Sequence, residues 1–60
     1  MIPTKRKVFD ILDTALSRGY AWALTEDADF LVKVMSWPGV PSSVSNARLA
    51  NYIREWRMTQ

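Results

Sequence analysis

Apolar residues recur at helical spacing in three stretches of this chain. From Lys5 to Arg18, Val8, Ile11, Leu12, Ala15 and Leu16 line one stripe, and Phe9 widens it. Arg6, Asp10, Asp13 and Ser17 face the other way. Residues 1–4 read as a short lead-in, with Thr4 placed to cap the free amides of the first turn. Gly19 is placed to end the helix in a left-handed cap, with Arg18 favourably near the negative end of its dipole. In the next stretch Tyr20, Trp22 and Leu24 alternate with Ala21 and Ala23, the period of extended chain. With no partner strand in sight, the run reads as an extended linker whose large side chains close one end of the core.

Thr25 is then placed to cap a second helix, and Glu26, Asp27 and Asp29 sit where the helix dipole favours anions. Phe30, Leu31, Val32, Val34 and Met35 cover more than half of its circumference, the pattern of a helix sandwiched between neighbours. This second helix is therefore expected to be the central one. Trp37-Pro38-Gly39-Val40-Pro41 ends it, because Pro38 disfavours helical geometry at Trp37 and Pro-Gly marks a turn. Ser42 or Ser43 would cap a third helix with two unlike faces. Leu49, Tyr52, Ile53 and Trp56 share one side, with Ala50 at its edge, and Val44, Ala47, Arg48, Asn51, Arg54 and Glu55 share the other. The pattern predicts an all-α, compact three-helix bundle with helices at about 5–18, 26–37 and 43–58, in a single domain over residues 1–60.

Composition narrows the possible chemistry. With 60 residues, 48% of them hydrophobic, the chain suffices for one small core of marginal stability. It has no Cys and no His, which removes disulfides, thiolate metal sites and the commonest general base. No glycine-rich phosphate loop or nucleophile–base pair is present, so neither an enzyme nor a cofactor is expected. The acids at Glu26, Asp27 and Asp29 lack the glycine turn and later glutamate of a calcium loop, and no metal is expected there. No apolar run approaches the roughly 20 residues of a membrane span, and no export signal is visible, so a cytoplasmic protein without a membrane partner is expected.

The net charge of +2 is mild but uneven. Lys5, Arg6 and Lys7 make the start basic, and Arg48, Arg54 and Arg57 outweigh Glu55 near the end. Between them lies an acidic middle, which would direct a polyanion to the two ends. The three cations at the start of the first helix also oppose its dipole, a local conflict of the kind found at functional sites.

The order of supporting helix LTEDADFLVKVM, turn WPGVP and helix SSVSNARLANYIREW resembles the helix-turn-helix class of small DNA-binding domains, over residues 25–58. That resemblance implies a transcriptional regulator whose last helix enters the major groove of double-stranded DNA, with a homodimer supplying two half-sites. Ser43, Val44, Ala47, Arg48 and Asn51 would then face the bases. Arg48 is suited to guanine, Asn51 to adenine, and Val44 and Ala47 to thymine methyls. Lys5, Arg6, Lys7, Arg54 and Arg57 would add attraction for the backbone.

A second reading competes with this one. Tyr20, Trp22, Trp37, Tyr52 and Trp56 are hard to bury together in so small a core. Exposed aromatics make good interface anchors. A protein-binding module, such as an inhibitor or adaptor encoded by a phage or other mobile element, would dock on a larger host protein through Tyr20, Trp22 and Trp37.

Overall fold

A computed structural model describes residues 3–60, and those residues form a small all-α bundle. Helix α1 spans Pro3–Ser17, α2 Trp22–Thr25, α3 Ala28–Val34 and α4 Asn46–Met58. Three of the four match the expected helices in order, and the short α2 is an addition. Of the expected lead-in, Met1 and Ile2 lie outside the described residues, while Pro3 and Thr4 are helical. Thr4 is therefore within α1 and does not cap it.

Val8, Leu12 and Ala15 form the buried seam of α1, and Phe9 and Leu16 pack beside it. Gly19 ends the run as its residue type requires. Its φ of 88° is the left-handed region, and the paired bonds Tyr20 N–H to Ala15 O (3.1 Å) and Gly19 N–H to Leu16 O (3.0 Å) close a Schellman cap.

Residues 20–24 are not extended. Trp22–Thr25 makes a single helical turn, and Thr25 ends it rather than capping the next helix. Among the described residues no strand offers hydrogen bonds, so the backbone satisfies itself locally, as in Leu24 N–H to Ala21 O at 2.9 Å. The small Ala23 is the residue this turn buries, while Trp22 is half-buried.

Helix α3 is shorter than its apolar pattern suggested. It starts at Ala28 because Asp27 caps it, accepting from Asp29 N–H at 2.8 Å. It stops at Val34, after which Met35 is extended, and Trp37 Nε1 turns back to donate to Val32 O at 3.4 Å. The segment 35–45 that follows is far longer than the turn of 3–4 residues usual between the helices of a helix-turn-helix.

The central element is α4, not the second long helix. It packs against both α3 and α1, whereas α2 contacts α1. Leu49, Ala50, Tyr52, Ile53 and Trp56 of α4 are all buried, so one side of the helix is covered and the other faces solvent. Trp56 is 1% exposed, and its Nε1 donates to Asp13 Oδ1 at 2.7 Å, so its one polar atom is satisfied across the interface with α1. By contrast α3 buries Ala28, Leu31 and Val32 but leaves Phe30 49% and Val34 57% exposed. The broad apolar circumference of α3 thus has one covered side and one open side.

This difference in burial is measurable. Trp56→Ala should cost about 3–5 kcal/mol and leave little folded protein. Val34→Ala should change stability by no more than about 0.5 kcal/mol. Urea denaturation followed by far-UV circular dichroism, at dilute protein, checks both.

Candidate interaction surfaces

Two surfaces can be built from these elements. The first is the exposed strip of α4. Ser45, not Ser42 or Ser43, caps this helix, its side chain accepting from Arg48 N–H at 3.2 Å. Residues 42–43 form a turn before it, with Val44 N–H bonded to Pro41 O at 3.1 Å. Ser43 is exposed there but is not helical. Val44 is half-buried and packed against the core, and it precedes the helix rather than lying on it. Ala47, Arg48, Asn51 and Arg54 are exposed together on α4, as their spacing implied.

The charges along this strip are largely engaged. Arg54 Nη1 donates to Asn51 Oδ1 at 3.2 Å, and its Nη2 lies 3.7 Å from Asp29 Oδ2 on α3. On the other flank Lys5 Nζ of α1 pairs with Glu55 Oε1 at 3.0 Å and sits 5.7 Å from the centre of the Phe9 ring. Exposed pairs such as these contribute only about 0–1 kcal/mol each. They do balance each cation with a neighbouring anion. Arg57 belongs to the fold: its Nε and Nη2 donate to Ala23 O at 3.2 and 3.1 Å, and Nη2 also reaches Glu26 O. It satisfies carbonyls at the end of α2, a role that the sequence pattern did not reveal. Lys7 lies along Gly39, where it fills the space a Cβ would take. Of the expected DNA-contacting cations, Arg6, Lys7 and Arg48 are exposed and have no ion-pair partner among the described residues.

The second surface is apolar. Two shallow grooves share Trp22 and Met35. One runs along α1, with Ile11, Tyr20 and Pro38 in its walls, and the other follows α3, between Trp22, Phe30 and Val34. Tyr20 stacks on Trp22 with ring centres 5.5 Å apart and is itself 46% exposed. The stack holds both rings at the surface in a fixed orientation, which lowers the entropic cost of using them as anchors. Trp37, the third nominated aromatic, is half-buried, and its N–H serves the end of α3. The apolar pattern expects Phe30, Val34 and Met35 on a sandwiched helix; Phe30 and Val34 are exposed, while Met35 is half-buried against the core.

Among the described residues no group of acids is arranged to hold a metal ion, and no helix is long and apolar enough to cross a membrane. Comparison with family models, with characterised proteins and with solved structures gives no match.

The capping role of Arg57 yields a prediction that leaves both surfaces in place. Arg57→Ala should lower stability by about 1–2 kcal/mol, because charge-assisted bonds to the α2 carbonyls are lost. Arg57→Lys should recover less than half of that, since one ammonium cannot reproduce the fork. Chemical denaturation of the three proteins side by side checks this.

Proposed function

We propose that this protein is a small protein-binding module that docks on its partner through the apolar face around Trp22. The observation that supports the reading is the joining of two grooves by Trp22 and Met35, with Tyr20, Phe30 and Val34 exposed along them. Large apolar side chains gathered on one face are otherwise a liability in water and an aggregation risk. Rigid aromatic anchors next to aliphatic walls form the centre of an ordinary protein interface. Such a chain would act as an inhibitor or adaptor, with its bundle serving to present this face.

A second reading retains double-stranded DNA as the partner, through Arg48 and Asn51 on α4. The observation in its favour is that both are exposed beside the small Ala47, with no acid in the first turn of the helix. Against it stands the pairing of two of the strip's cations, Lys5 and Arg54, with Glu55 and Asp29.

One pair of measurements separates the two. A photo-crosslinking residue at position 34 should trap a protein in nuclease-treated lysate of the source cells, and Phe30→Asp should abolish the product. A crosslinker at position 48 should give none. In titration against random-sequence duplex at low salt, where backbone attraction is strongest, the chain should not bind. Duplex binding lost with Arg48→Ala, together with no product at position 34, would reverse the assignment.

A further inference from the structure

We infer that the free protein pairs with a second copy of itself through this same face, in a two-fold symmetric dimer that a partner must displace. The inference rests on the docking face just proposed and names what covers it in the partner's absence. Its basis is how charge is distributed around the apolar centre. The α1 side of the face carries Lys7 and Arg18, with Asp10 between them leaving that side net positive. The α3 side, the groove along α3, carries Glu26, which directly follows α2. Trp22 and Met35, common to both grooves, lie between the two sides.

A two-fold axis through Trp22 and Met35 turns the α1 side of one copy onto the α3 side of the other. Each Arg18 then meets the other copy's Glu26, twice, as an isologous contact requires. Neither side chain has an ion-pair partner within its own chain among the described residues, so both are available. The face is therefore complementary to itself in charge and apolar at its middle, the arrangement that fixes orientation between associating proteins. Pairing would also cover Phe30 and Val34, which the fold leaves exposed. A chain of 60 residues gains most from such cover, since its own core is small.

Charge reversal combined with mass measurement tests this. Light scattering behind size exclusion should show twice the chain mass at high micromolar concentration and a shift to the monomer on dilution. Arg18→Glu alone and Glu26→Arg alone should each weaken the dimer by about tenfold or more, through two like-charge contacts. An equimolar mixture of those two variants should recover a dimer containing one of each, and the double variant should dimerise as the wild type does. Val34→Asp should stay monomeric, and circular dichroism should show every variant helical. Monomer mass for the wild type up to millimolar concentration would overturn the inference. So would single variants that dimerise normally, or a mixture that does not recover. A wild-type monomer that still crosslinks to a partner through position 34 would leave the docking reading standing and reject the self-pairing alone.

Discussion

The packing of Trp56 governs how this bundle is arranged. Its indole is enclosed almost completely, and its single N–H needs an acceptor, which Asp13 of α1 supplies. Placing a ring of that size at the centre of a small domain forces α4 between α1 and α3. Leu49, Ile53 and Tyr52 then follow it inward, because they share its side of the helix. What remains of α4 in water is its polar side, bordered on one flank by Lys5 with Glu55 and on the other by Arg54 with Asp29. The electrostatic character of that strip is thus set by the neighbours that burial brings to it.

The same constraint determines what is left outside. Once Trp56 and Tyr52 occupy the centre, a chain this small has no second interior for its other large apolar groups. Trp37 finds a place at the end of α3, where its ring is partly covered and its N–H meets a backbone carbonyl. Tyr20 and Trp22 stack on each other at the surface. Phe30 and Val34 of α3 stay about half exposed. The candidate docking face is therefore a consequence of size and composition acting through one tightly filled core.

Arg57 illustrates how residue type alone misleads about role. In the sequence it is one more cation near the basic end of the chain. In the fold its guanidinium spans to two carbonyls at the end of α2, and the short helix depends on it for those contacts. Lys7 likewise reads as part of a basic cluster but lies along Gly39, whose lack of a side chain leaves room for it. A long cationic side chain close in sequence to other cations can serve the backbone of a distant segment, and only proximity in space decides which.

The sequence by itself determined the elements with clear helical periodicity. The seam of Val8, Leu12 and Ala15, the stop at Gly19 and the inward side of α4 all follow from spacing of 3–4 residues and from the left-handed preference of glycine. It also determined that Ala47, Arg48, Asn51 and Arg54 share an exposed face. Tertiary structure decided the rest. Alternating size at residues 20–24 suits extended chain, but with no strand beside it among the described residues the segment from Trp22 closes into a helical turn. Two capping candidates, Ser42 and Ser43, lost to Ser45 because Val44 packs inward before the helix begins. The apolar width of α3 pointed to a central helix, yet periodicity records only which residues are apolar. Whether a neighbour arrives to cover them depends on how the whole chain is packed, and here Trp56 drew the bundle around α4 and left that side of α3 open.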